Sequence, residues 1–141
     1  MSFWFNPDDR VVLRKVPMAT LVAAVGSTIS NVGVHYAALR SGRMTIGYTE
    51  TVAASVIGAV VAGIVYWLLA RYTEHAVRWF TVIATIVIGV YGVGPVAAAY
   101  EPYMEGAELF TLTTVVATEI MHIVSGAWVL WALLRLAREA R

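Results

Sequence analysis

The chain has 141 residues, of which 60% are apolar and 13% charged, with a mean hydropathy of +0.73 and a net charge of +1. A soluble domain of this length carries roughly 25% charged residues, so the solvent around most of this chain is lipid. Cysteine is absent, which excludes disulfides, thiolate metal sites and cysteine catalysis, and four spans of about 20 residues each leave no room for a separate soluble catalytic domain.

Residues 1–16 read as a short interfacial segment. Phe3, Trp4 and Phe5 precede Asn6-Pro7-Asp8-Asp9, a tetrapeptide suited to a helix start: Asn caps, Pro fits the first turn, and two acids face the positive end of the dipole. With Arg10, Arg14 and Lys15 following, the segment is expected to lie along the headgroups. The apolar run after Lys15 is long and meets no small-residue cleavage site before Arg40, so it reads as a retained first helix and not as a cleaved signal.

Four helices follow, expected at about 17–39, 47–70, 79–100 and 110–134. The first is unusually polar, with Ser27, Thr28, Ser30, Asn31 and His35. The second carries two rows of small residues, Ala54-Gly58-Ala62 and Ser55-Ala59-Gly63, a spacing that lets backbones approach closely in lipid. In the third, Gly92, Gly94 and Pro95 predict a kink, because the proline ring removes one hydrogen bond and crowds the preceding turn. The expected architecture is an all-α, integral membrane four-helix bundle of residues 17–141, since unbroken apolar runs lack the alternation of a barrel.

Orientation follows from Lys and Arg. The side holding both termini and the second loop has Arg10, Arg14, Lys15, Arg71, Arg78, Arg135, Arg138 and Arg141, against Arg40 and Arg43 on the other. This bias predicts a multi-pass protein of the plasma membrane with both termini cytoplasmic. Glu101, Glu105 and Glu108 make the third loop acidic, and all five Trp fall toward the cytoplasmic side as interface anchors.

The fourth helix holds Thr118-Glu119-Ile120-Met121-His122. An ionisable residue within a span costs about 2.5–3.5 kcal/mol on insertion scales, so Glu119 and His122 need a reason. They are three apart and share a face, which Thr111, Thr114, Thr118 and Ser125 extend into a polar stripe. Counting about 1.5 Å per residue from each span's centre puts Asn31, Tyr91, Glu119 and His122 near one level, with His35, Tyr48 and Glu50 above them. The candidate polar pocket is therefore Asn31, His35, Glu50, Tyr91, Thr118, Glu119 and His122. Its reading is open between interhelical packing, a proton or small-ligand site, and a metal or haem site. A di-iron site needs two Glu-x-x-His pairs and two further carboxylates, and the sequence supplies one pair. The same counting sets His35 and His122 about 10 Å apart in depth, a mismatch for a haem held between them. No metal ligand set or cofactor is assigned. Dispersed basic residues fit lipid headgroups and not nucleic acid.

Trp67-Leu68-Leu69 through Arg78-Trp79, then Gly94-Pro95, then Met121-His122 together resemble an uncharacterised family of small bacterial four-helix membrane proteins, a domain of unknown function. The resemblance covers about the C-terminal two-thirds of the chain and implies the bundle without an activity. Three functions are carried forward. The first is a non-enzymatic accessory or self-associating membrane subunit, whose partners are the bilayer and a homo-oligomer or larger membrane complex. The second is a proton- or ligand-handling protein built on Glu119 and His122, and the third a metal- or haem-binding redox protein.

Overall fold

The computed structural model describes residues 10–42, 44–100 and 111–138, with 91–100 described as backbone alone. It is all-helical. Helix α1 spans Val16–Ser41, α2 Tyr48–Tyr72, α3 Ala76–Tyr100 and α4 Leu112–Leu136, and a 3-10 turn, Leu13–Lys15, leads into α1. Each helix outruns its expected apolar span at one or both ends or is shifted by two residues. Hydropathy marks where lipid stops, whereas a helix stops where its backbone bonds find another partner. Thus α2 takes in Arg71 and Tyr72 and ends at Thr73, whose N–H and Oγ1 both bond the Leu69 carbonyl.

Among the described residues α1, α2 and α4 are long and apolar enough to cross a membrane, and Ala76–Val90 forms a shorter apolar stretch of α3. The outward faces agree with a lipid solvent. Met18, Leu21 and Ile29 of α1, Ile57, Val61 and Ile64 of α2, Ile86 and Val90 of α3, and Ile123 of α4 are all exposed. Exposed apolar residues on all four helices are what a lipid solvent would accommodate.

Small residues set the packing. Ala19 and Ala23 of α1 and Ala59 of α2 are almost wholly buried. Gly63 lies against Thr20, Gly126 against Ile88, and Gly26 against the Trp128 indole. At Gly26 an added Cβ would fall 2.5 Å from that ring, inside van der Waals contact, so the close approach of α1 and α4 there requires glycine. Of the two small-residue rows on α2, Ser55-Ala59-Gly63 is buried, whereas Ala54 and Gly58 are exposed and Ala62 half-buried.

The core changes character along its length. Toward the termini it is apolar: the Tyr66 and Phe80 rings meet at a tilt of 53° with centroids 4.7 Å apart, among Val77, Val129, Ala132 and Leu133. Toward the other end it is polar, with Ser27, Asn31, His35, Thr51, Ser55 and Thr114 buried.

Each end of the bundle is tied. Thr111 caps α4 by accepting from Thr114 N–H, and Thr114 Oγ1 accepts from the Thr45 N–H of the α1–α2 connection. At the other end Val11 pairs with Arg138, Val12 N–H donates to the Ala137 carbonyl at 2.7 Å, and Lys15 Nζ donates to the Arg138 carbonyl at 2.9 Å. A cation there meets the negative end of the α4 dipole. The expected N-terminal interfacial segment is thus described only from Arg10, where it joins the end of α4. Its Asn6-Pro7-Asp8-Asp9 start lies outside the described residues.

Candidate functional site

The buried polar column of α1 rises one turn at a time: Ser27, Asn31, His35. These residues recur every fourth position, so one face of α1 presents all three to the junction with α2 and α4.

Asn31 joins three helices. Its Nδ2 donates to Ser55 Oγ of α2 at 2.9 Å and to Ser125 Oγ of α4 at 2.8 Å. Ser55 in turn donates to the Thr51 carbonyl. Asn31 is 4% exposed, and its Oδ1 is buried with no hydrogen-bond partner among the described residues.

His35 is buried one turn further on, with Nδ1 2.8 Å from Thr51 Oγ1 and its ring stacked on Tyr48 at 4.0 Å between centroids. The hydroxyl hydrogen of Thr51 is committed to the Gly47 carbonyl at 3.0 Å. The contact with His35 therefore needs Nδ1 to be the donor, and the neutral ring keeps its lone pair on Nε2. Tyr48 is 43% exposed and covers the imidazole from the outside.

The other expected members of the pocket are placed apart from this column. Glu50 is exposed in the first turn of α2 and folds back beside Gly47, at the positive end of its own helix. Thr118 donates to the Thr114 carbonyl, and His122 Nδ1 sits 2.9 Å from the Thr118 carbonyl, so both engage the backbone of α4. Glu119 is half-buried, and its Oε1 is buried without a hydrogen-bond partner among the described residues. Gly126 takes Ile88 of α3, and Glu119 and His122 lie on the same stripe as Gly126, at helical spacing. That stripe faces α3. The Tyr91 side chain lies outside the described residues.

Two expectations are corrected by the register. Asn31 meets Ser125, six positions beyond Glu119 on α4, which separates Asn31 from Glu119 by about 9 Å along the axis. They do not share a level, because α4 is staggered outward relative to α1, its start held on Thr45. The same stagger brings His122 nearly level with His35, removing the expected depth mismatch. The two rings are nevertheless directed to different elements, one to Thr51 of α2 and the other to the α4 backbone.

The partners that matter most, Thr51 and Ser55, were not among the candidates from sequence. Their signal was present: they continue the Ala59-Gly63 row of α2 at the same four-residue spacing. The polar stripe of α4 also divides. Thr114 and Ser125 bond other segments, whereas Thr118 and His122 bond their own backbone. No group of three or more His, Cys, Asp or Glu that could hold a metal occurs among the described residues. The column as a whole is a hydrogen-bonded seam, suited to fixing helix rotation, with the Asn31 Oδ1 oxygen left over among the described residues.

No protein-family model, no curated protein and no solved structure matches this chain.

Proposed function

We propose that the chain is a non-enzymatic, four-span membrane protein that works as a self-associating or accessory subunit, with both termini in the cytoplasm. One observation carries this reading. Helix α2 has two ridges of small residues, and packing among the described residues occupies one of them. Ser55-Ala59-Gly63 is buried against α1, whereas among the described residues nothing lies within 4 Å of where a Gly58 Cβ would be, and Ala54 beside it is exposed. An open small-residue ridge on a lipid-facing helix fits the close approach of a second helix, where packing and not hydrophobicity drives association. The short sequence resemblance to a four-helix membrane family agrees with the same architecture. The orientation rests on the Lys and Arg bias.

The absence of cysteine gives a clean test. Gly58→Cys in native membranes should cross-link to a dimer under mild oxidation, and Ala59→Cys, which is 1% exposed, should not. A monomer at position 58 and also at position 54, with a monomeric mass in mild detergent, would remove the self-association reading.

A second reading is kept for one reason: a carboxyl oxygen of Glu119 is buried within a span with no hydrogen-bond partner among the described residues. Such a group is a default candidate for proton or small-ligand handling, with His122 one turn away on the same face.

A further inference from the structure

We propose that the bundle carries a built site for one anionic phospholipid, between the start of α1 and the end of α2. It rests on the membrane-spanning reading but not on self-association.

A groove of about 320 Å³ runs between these helices, lined by Val16, Pro17 and Thr20 of α1 and by Val60, Gly63, Ile64 and Trp67 of α2. It is apolar along its length and opens on the lipid-facing surface. Within it Thr20 packs directly on Gly63, where a Cβ would collide with its side chain, and the Thr20 hydroxyl is turned back onto the Val16 carbonyl. Nothing polar in the groove needs a partner, so its complement is a hydrocarbon chain.

The mouth of the groove is cationic. The Arg71 guanidinium lies over the Trp67 ring, 5.4 Å from its centroid, which holds the charge beside a wall of the groove. Arg14 lies at the same height, in the turn that leads into α1. The contacts His35–Thr51, Asn31–Ser55 and Thr20–Gly63 define an antiparallel register of α1 and α2, and continuing it brings Arg71 level with the turn Leu13–Lys15. Arg14 and Arg71 are both exposed. Lys15 is already engaged on the Arg138 carbonyl, which leaves the two arginines for an incoming anion. One arginine held at the groove wall and a second exposed at the same height match a phosphodiester whose acyl chain lies in the furrow. A free phosphate would leave the furrow unused, and a zwitterionic lipid would bring a cation to two cations. Charge and groove together select a phospholipid of net negative headgroup.

The test is native mass spectrometry of the detergent-extracted protein, titrated with phosphatidylglycerol or with phosphatidylcholine of the same chains. Wild type should bind phosphatidylglycerol on the order of tenfold more tightly, and R14Q/R71Q should lose that preference, since each basic residue at the headgroup level contributes measurably to anionic lipid binding. R78Q/R135Q removes the same charge from exposed positions on α3 and α4 and should keep the preference. Val60→Trp fills the groove from its lipid side and should weaken both lipids alike. Equal binding of the two lipids by wild type, or equal losses from the two charge variants, would overturn the site in favour of diffuse attraction. Displacement of the lipid by inorganic phosphate would overturn it as well. The same spectra report the oligomeric mass separately, so a monomer that still binds phosphatidylglycerol would count against self-association alone. Recovery of the protein from cells without detergent would instead refute the membrane reading beneath both.

Discussion

Replacing Asn31 by alanine and by aspartate tests whether the polar seam fixes the bundle through the donors of one amide. Alanine removes two interhelical bonds, of 2.9 and 2.8 Å. Such bonds average about 0.6 kcal/mol each in membrane bundles, so their joint loss is about 1.2 kcal/mol. Two smaller effects oppose one another. The truncation leaves a void, and it also removes the buried Oδ1 that has no partner among the described residues. Ser55 keeps its bond to the Thr51 carbonyl, so no new orphan arises on α2. The expected cost is about 1–2 kcal/mol. Aspartate keeps the shape but replaces the two-hydrogen donor with an acceptor. If ionised, it adds about 2.5–3.5 kcal/mol for a charge within a span. If protonated, it supplies one hydrogen where two hydroxyls need one each. The conservative variant should therefore be the worse one, by at least about 1 kcal/mol. Reversible unfolding by dodecyl sulfate, titrated into mild detergent and followed by tryptophan fluorescence, measures both. Trp128 donates to Ser30 of α1 at 3.0 Å, so its emission reports the separation of α1 from α4. An aspartate variant as stable as wild type, or an alanine variant without effect, would refute the seam as the element that sets helix rotation.

Single cysteines at Thr73, between α2 and α3, and at Thr49, exposed at the start of α2, should label from opposite sides, position 73 from the cytoplasm; cytoplasmic labelling of position 49 alone would reverse the orientation. Glu119→Gln should leave stability in detergent unchanged or raised, because it keeps the shape and discards a buried charge. His122→Gln should cost about 1 kcal/mol, the worth of an ordinary hydrogen bond. Full complementation of a deletion phenotype by the double variant would end the proton- or ligand-site reading, and lost function at unchanged stability would establish it over packing.

Hydropathy and the spacing of small residues were enough to read four helices and the close packing of α2. They could not choose between its two ridges, which are equivalent as rows of Ala, Gly and Ser. The choice was made by Thr51, which extends the 55-59-63 row by one turn and gives it a partner in His35. Asn31 was legible as a buried polar group, but its partner was not. Depth counted from the centres of spans assumes that those centres are coplanar, and the hold of Thr114 on Thr45 shifts α4 along its axis. Local sequence carries no trace of that tertiary offset. Glu119 is expected within reach of Asn31 of α1 or Tyr91 of α3, and the same offset takes it from the level of Asn31 and leaves it on the stripe toward α3.

On the membrane-spanning reading, the polar seam also bears on how the chain would enter the bilayer during synthesis. Helix α1 emerges first and is the less apolar partner, with a mean hydropathy of 1.3 over its best window against 2.3 for α2. Alone in lipid, its Ser27, Asn31 and His35 face has no groups to meet except its own backbone. Helix α2 brings Thr51 and Ser55 after a connection of only six residues, 42–47. The first two spans are thus expected to partition as a hairpin, with α1 held back until α2 arrives, and Ser125 of α4 closing the seam last. Glycosylation mapping of nascent chains cut after α1 and after α2 would read this directly: the inserted fraction of α1 should rise in the longer chain, and equal fractions would show that α1 commits to the bilayer unaided.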